Sequence, residues 1–190
     1  MLHSSTRPLR LLPFIALAAG VLFSAICPTA SRADSQNVGD ARVGVYYLGN
    51  TGIRNTFTSA IATAGLDYYL GEETHTSRSI LGVDYIQRSS GSGTKLQIIP
   101  VTISQQYYHT IGGTDFTPYG EAGIGAYFVS LQEVNSSNLT STHSLTSLGG
   151  FIGGGIDLSN NVFLDLRYHL IGNLEGQNPS GYELTAGFRF

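Results

Sequence analysis

Charged side chains are scarce in this sequence, and lysine is almost missing. Only 12% of the 190 residues are charged, and Lys95 is the single lysine. In an average soluble domain about a quarter of the residues carry charge, so this chain has too few charges for a large water-facing surface. The formal net charge is -3 and no basic run is present, which argues against a nucleic-acid partner.

Cysteine and long apolar segments are lacking as well. The single cysteine, Cys27, lies in the N-terminal segment described below, so the rest of the chain forms no disulfide. Beyond that segment no apolar run reaches the length of roughly 18 residues that a spanning helix needs. Only helices and closed β-barrels satisfy every backbone hydrogen bond in lipid, so a membrane-inserted mature chain has to use strands.

Residues 1–33 have the features of an export signal. Two arginines precede an apolar stretch, Leu11–Ile26, and small residues follow it at the positions that signal peptidase inspects. We expect cleavage after Ala33, which leaves residues 34–190 as the mature domain. This segment would carry the chain out of the cytoplasm.

Two other interpretations of the N-terminal segment are weaker. A membrane anchor requires about 20 apolar residues, and the stretch is shorter and contains Pro13. A lipoprotein signal requires a small residue before the modified cysteine, whereas Ile26 precedes Cys27. We therefore expect neither an anchor nor lipidation.

Eight segments of the mature chain show the two-residue periodicity of β-strands. Apolar side chains alternate there with small or charged ones, because successive Cβ atoms of a strand point to opposite faces. The predicted strands are 41–49, 57–71, 79–88, 96–108, 116–131, 145–158, 162–171 and 182–190. We predict an all-β fold, an eight-stranded antiparallel up-and-down transmembrane β-barrel.

Three details of the pattern are less regular. Pro100 cannot donate to a ladder, so we expect a bulge or the start of pairing there. Ile86 falls on the polar row of its strand. The Asn-, Ser- and Thr-rich segment 132–144 is predicted to be the longest connection.

The last nine residues, 182–190, show the clearest alternation. Tyr182, Leu184, Phe188 and Phe190 share one face, and the chain stops on an aromatic residue. This resembles the closing strand of bacterial outer-membrane β-barrels, which typically end in Phe. In that family the terminal strand is also read by the outer-membrane assembly machinery, so the resemblance implies that these four residues form an assembly signal.

Two other stretches carry the same resemblance. Residues 118–125, Pro-Tyr-Gly-Glu-Ala-Gly-Ile-Gly, are similar to a stretch common in OmpA-like and OmpX-like barrels, and so are 153–157 and 163–168. The resemblance implies location in the outer membrane of a Gram-negative-type bacterium, contact with its lipid, and loops that bind a surface ligand. With an even strand number, the connections near residues 52, 91, 137 and 176 lie on one side and those near 74, 113 and 160 on the other. Such barrels have longer external loops.

The direction of the apolar face decides between a soluble and a membrane barrel. The polar rows hold too little charge for an exterior, and they combine glycine with charged residues, as a narrow lumen requires. We therefore place the apolar rows outside and an ion-pair network inside. Its predicted members are Asp67, Asp84, Arg88, Glu121, Asp157, Asp165, Arg167, Glu183 and Arg189.

No catalytic or metal-binding constellation stands out. Lipid A deacylase barrels carry a His-x-Ser-Asn motif on a late strand, but the similar stretch here, 169–173, lacks the serine. His143-Ser144 is an isolated pair, and no metal-ligand spacing occurs. We therefore expect no cofactor and no enzymatic activity.

Three functions remain open. The first is a structural or surface-interaction role through external loops. The second is a narrow channel for small apolar solutes, as in OmpW-like barrels, which predicts conductance in planar bilayers. The third is a lipid A-modifying enzyme, which predicts altered acyl chains on lipid A.

Overall fold

A computed structural model describes residues 37–50, 60–71, 76–90, 93–109, 116–134, 139–159, 161–173 and 178–190. The expected signal segment and its cleavage site lie outside these residues. Within them, no helix is long and apolar enough to cross a membrane.

Eight antiparallel strands form one closed barrel. Each strand pairs with the next along the chain, and the last pairs with the first. The strands are β1 Gly39–Leu48, β2 Ala60–Leu70, β3 Ser77–Ser89, β4 Lys95–Tyr108, β5 Thr117–Val134, β6 Thr140–Asp157, β7 Val162–Leu170 and β8 Gly181–Arg189. The predicted eight-stranded up-and-down topology is confirmed.

The barrel has two ends, which we call the turn end and the loop end. Val38, near the first described residue, and the C-terminal Phe190 lie at the turn end, where the Val38 amide donates to the Phe190 carbonyl at 2.7 Å and the Phe190 amide donates to the Gly39 carbonyl at 3.0 Å. Strands β2, β4 and β6 also end here. Strands β1, β3, β5 and β7 end at the opposite, loop end.

Side chains alternate between an apolar outside and a polar lumen. Leu166 and Phe188 point outward and are 51% and 53% exposed, whereas Arg167 and Arg189 point inward and are 4% and 3% exposed. A one-residue slip would place the inward charges on the outer face, so burial fixes the register. The sequence predicted this orientation.

The lumen is apolar near the loop end, which the sequence did not indicate. A buried cluster there consists of Tyr46, Leu48, Ile61, Ile86, Leu96, Ile98, Tyr127, Val129, Leu131 and Ile171. We call this cluster the apolar plug. Ile86, which interrupted the polar row of β3, belongs to it and is fully buried. The irregular position is therefore part of a second layer of the lumen.

Two predictions about strand boundaries are wrong. Segment 132–144 is not the longest connection, because β5 continues to Val134 and β6 begins at Thr140. The two strands remain paired above the barrel wall, where both faces are wet and no apolar alternation is needed. Pro100 neither starts the pairing nor bulges: β4 pairs with β5 without a break from Lys95 to Tyr108, and its pairing with β3 is interrupted at Pro100 but resumes in the same register.

Five glycines of the lumen make room for aromatic rings on the neighbouring strand. A Cβ at any of them would overlap the ring opposite. The pairs are Tyr46 with Gly181, Tyr119 with Gly155, Tyr127 with Gly149, Phe151 with Gly123, and Phe163 with Gly187. Interiors are close-packed, so each ring fills the volume that its glycine leaves free.

A matched pair of Gly→Ala substitutions tests this packing. Gly187→Ala forces a methyl group against the Phe163 ring, and we expect a loss of about 1–3 kcal/mol, as for an overpacked core. Gly120→Ala adds a methyl group to open space on the outer face, so we expect a change within about 0.5 kcal/mol. Urea unfolding of both variants in detergent measures the difference, and equal midpoints would contradict the ring-over-glycine packing.

Candidate functional site

Arg42 on β1 is the centre of one half of the buried ionic network. Its guanidinium donates to Asp67 on β2 and to Asp84 on β3, with Nη2 at 2.6 Å and Nε at 3.1 Å from Asp84 Oδ1. A Cβ at Gly65 would collide with both Arg42 and Asp84, so the missing side chain makes space for the pair. Asp40 lies 3.8 Å from Arg42 Nη1 and joins the cluster at the turn end.

Arg167 on β7 is the centre of the other half. Its Nη2 donates to Glu121 Oε2 at 2.8 Å and to Asp67 Oδ2 at 3.4 Å. Its Nε lies 2.6 Å from Asp165 Oδ2 on the same strand. Asp67 on β2 therefore contacts both arginines and joins the two halves, and Arg167 extends the network to Glu121 on β5.

His169 forms a third polar group beneath the apolar plug. Its Nε2 lies 2.9 Å from Glu183 Oε2, and its Nδ1 lies 3.1 Å from the Tyr127 hydroxyl. Thr63 donates to the second oxygen of Glu183 at 2.7 Å. The rings of Tyr46 and Phe151 flank the imidazole at centroid distances of 5.8 and 5.5 Å. Both ring nitrogens of His169 are thus engaged.

An ion pair holds the turn end of the lumen. Arg189 on β8 makes a bidentate contact with Asp157 on β6, at 2.5 and 2.6 Å. The guanidinium also lies over the Phe163 ring, 5.0 Å from its centroid. Two parallel N–H···O bonds fix the geometry of such a pair better than one.

Arg88 does not belong to this network. The structure brings the other predicted members into the lumen, whereas Arg88 is exposed at the loop end of β3. It lies beyond Ile86 on β3 and pairs with the plug residue Leu96 on β4. Alternation places Arg88 correctly on the inner row, but its side chain is exposed at this end of the strand.

The predicted network omitted four buried ionisable residues. Arg42, Asp40 and Arg78 lie on inner rows and are buried, and so is His169, which the alternation of β7 placed on the inner row without assigning it to the network. The alternation of β1 was sufficient to identify Arg42, because it shares a row with Gly44. The contact of the Arg78 guanidinium with the Tyr69 ring, 3.9 Å from its centroid, was not visible in the sequence.

The buried charges of the lumen are arranged mainly as ion pairs. Among the described residues, six acidic side chains and four arginines are buried, and seven of these ten form one connected set of ion pairs around Arg42 and Arg167. No group of three His, Cys, Asp or Glu side chains in this part of the chain is arranged to hold a metal ion. The apolar plug separates the ionic network from the loop end.

Comparison with known proteins identifies similar structures but no similar sequence. Neither a protein-family model nor a curated protein matches the chain. The outer membrane enzyme PagL aligns with a TM-score of 0.55 and 20% identity, over 80% of this chain and 98% of PagL. Ail, the attachment invasion locus protein of Yersinia pestis, aligns with a TM-score of 0.52 and 18% identity, over 80% of this chain and 94% of Ail.

A third similar structure is the N-terminal β-barrel domain of Pseudomonas aeruginosa OprF. Its TM-score is 0.50 at 15% identity, over 82% of this chain and all of that domain. At these identities the likeness establishes the fold alone. The chain has the fold of small eight-stranded outer-membrane β-barrels.

Removing one arginine tests how much the network contributes to stability. Arg167→Met keeps an unbranched side chain but leaves Glu121 and Asp165 buried without their cation, so we expect a loss of about 3–5 kcal/mol. Arg88→Met, the same change at an exposed position, should stay within about 0.5 kcal/mol. Urea unfolding of both variants in detergent gives the comparison, and a similar midpoint for Arg167→Met and the wild type would contradict the role of the network.

Proposed function

We propose that the protein is an integral outer-membrane barrel that closes its own lumen and presents its loop end as an interaction surface. The proposal assigns it no catalytic reaction. The barrel acts as a rigid anchor, and the function lies in what the outward and loop-end side chains contact.

The outward face is the observation that carries this proposal. On the outward rows of the eight described strands, Lys95 is the one charged side chain. Aromatic residues lie toward both ends of these rows, with Tyr107 and Phe188 near the turn end and Tyr47 and Tyr182 near the loop end. An apolar band with aromatic residues at its edges suits a bilayer, and the nine residues of β7 suit one crossing.

Two segments of the sequence, the expected signal segment and the last strand, support export and assembly. The expected signal segment, residues 1–33, would deliver the mature chain to the periplasm. Tyr182, Leu184 and Phe188 lie on the outer face of β8, and Phe190 is exposed at the turn end. These four side chains are available to the assembly machinery before the barrel closes, and lipid replaces that contact afterward.

The filled lumen argues against a channel. The ionic network occupies the section near the turn end and the centre, and the apolar plug occupies the section near the loop end. A solute would have to separate buried ion pairs and then cross packed apolar side chains. Both steps are costly because charges lose their partners and close packing is broken.

The position of His169 argues against an enzyme that acts on lipid. The imidazole is fully buried in the lumen, and Tyr127 and Glu183 occupy its two nitrogens. A substrate in the bilayer reaches the outer face of the wall and not this side. The missing serine in stretch 169–173 agrees with this argument.

The loop end is the surface that we assign to a ligand. Strands β5 and β6 are each 18 residues long and extend there beyond β7 and β8. Ail, which has a similar fold, has been crystallised with the heparin analogue sucrose octasulfate. A small barrel can therefore bind a polyanionic sugar, and we propose surface interaction of this general kind here.

A charge placed on the outer face tests the membrane orientation. Leu166→Arg faces the centre of the apolar band, so we expect a loss of about 2–4 kcal/mol in lipid. Thr142→Arg lies on an outward row near the loop end, and we expect a loss of about 0–1 kcal/mol there. Urea titration of folding into phosphatidylcholine vesicles, followed by heat-modifiable gel migration, measures both. Equal penalties would contradict a membrane-facing band.

Planar-bilayer recording tests the closed lumen. We expect the wild-type protein to show no stable conductance after insertion, because network and plug together fill the section of the barrel. Heat-modifiable migration of the same sample confirms that folded protein is present, and protein-free vesicles give the background. Reproducible ohmic steps would favour the channel instead.

A further inference from the structure

We propose that the outward face of β3–β6 near the loop end binds the phosphorylated sugar headgroup of a glycolipid in the outer leaflet. We call this surface the headgroup platform. Its residues are Gln87, Lys95, Gln97, Ser130, Gln132 and Ser144. The inference rests on the proposed outer-membrane location, and it goes beyond that location by naming a lipid class and a site.

The strand register places these side chains side by side. Gln87 pairs with Gln97, which pairs with Ser130, which in turn pairs with Ser144. One step toward the loop end, Lys95 pairs with Gln132. Directly opposed residues on one face of a sheet have Cβ atoms about 4.5–5.5 Å apart, so the platform is one continuous polar surface.

The platform begins where the apolar band ends. One step toward the turn end from the Gln87 row, the outward residues include Tyr85, Ile99 and Phe128. The Tyr85 hydroxyl donates to the side-chain oxygen of Gln87 and so connects the two layers. A tyrosine with its ring on apolar neighbours and its hydroxyl on a polar layer marks the edge of the hydrocarbon. The platform therefore lies at headgroup height.

Its chemistry suits a phosphorylated sugar. Amide and hydroxyl side chains supply donors and acceptors for sugar hydroxyls, and Lys95 supplies one cation for a phosphate. The outward rows of the described strands contain no Asp or Glu, so no carboxylate there opposes an anion. Arg88, the neighbouring exposed cation, belongs to the inner row of the same hairpin and faces away from lipid.

The platform occupies one side of the barrel only. At the loop end of β1 and β8 the outward rows finish with Tyr47 and Tyr182, which pair with each other. Within the described residues no comparable polar extension of the sheet follows there, because β7 and β8 are half as long as β5 and β6. A headgroup would therefore be held against β3–β6, and ordinary lipid would surround the rest of the barrel.

Binding of lipid A to the folded, full mature chain tests the platform. The protein is placed in phosphatidylcholine nanodiscs, and native mass spectrometry compares retention of bis-phosphorylated lipid A with that of its dephosphorylated form. We expect the wild type to prefer the phosphorylated form. Lys95→Gln should weaken that binding about fivefold, the effect of one basic residue near an anionic surface.

Two further variants separate the platform from general charge effects. Gln87→Leu combined with Gln97→Leu removes sugar contacts and should weaken both forms of lipid A. Arg88→Gln removes a cation of the same hairpin on its other face, so it should leave the affinity unchanged. Heat-modifiable migration of every variant verifies that the barrel is folded and inserted.

The outcomes distinguish the platform from the proposed function. If all variants insert but Lys95→Gln binds lipid A as tightly as the wild type, the platform assignment is wrong and the membrane barrel stands. A dimer that forms through this face independently of lipid A would also overturn it in favour of a second copy of the chain. If the wild type fails to enter a bilayer, the membrane location and the platform fall together.

Discussion

Closure of the sheet is the constraint on which the rest of the structure depends. When β8 pairs with β1, every strand has two neighbours and no edge of the wall is left without hydrogen bonds. The two-residue period of a strand then sends half of the side chains into a narrow lumen. Their combined volume has to match that space, which explains why glycine and bulky residues are paired there. Phe163 over Gly187 and Tyr119 over Gly155 are two such pairs.

The lumen and the outer face are two different environments for side chains. Inside, a charge is removed from bulk water and has to find partners within the protein. Asp67 on β2 meets this requirement by contacting Arg42 on β1 and Arg167 on β7 together, so one carboxylate joins strands that are not all neighbours in the wall. A one-residue slip of β7 would move Asp165 and Arg167 to the apolar face. Pairing inside and apolar exposure outside therefore select the same register.

The sequence predicted which face of the barrel wall a side chain lies on better than it predicted the level of that side chain along the barrel axis. Alternation correctly predicted the barrel and the inward direction of Glu121 and Arg189. It placed Arg88 in the lumen, because periodicity gives the side of a strand and not the level at which the surrounding wall ends. The same limit hid the strand pairing in 132–144, where a wet sheet shows no apolar alternation. The apolar plug assembles side chains from five strands and from Ile171 after β7, and only the register brings them together.

Strands β3–β6 extend farther at the loop end than β7 and β8, and the two faces of this extension differ in chemistry. Its outward face carries Lys95 with neutral amides and hydroxyls, whereas Arg88, Glu133 and His143 lie on the inner rows at the loop end. Changing an inward residue of the lumen disturbs ion pairs or apolar packing on which the barrel depends. Changing an outward residue of the extension leaves both in place. The outward side chains of the extension are therefore the ones least constrained by the stability of the barrel. We expect the chemistry that distinguishes this barrel from others of the same fold to lie there, at the level of the lipid headgroups and above.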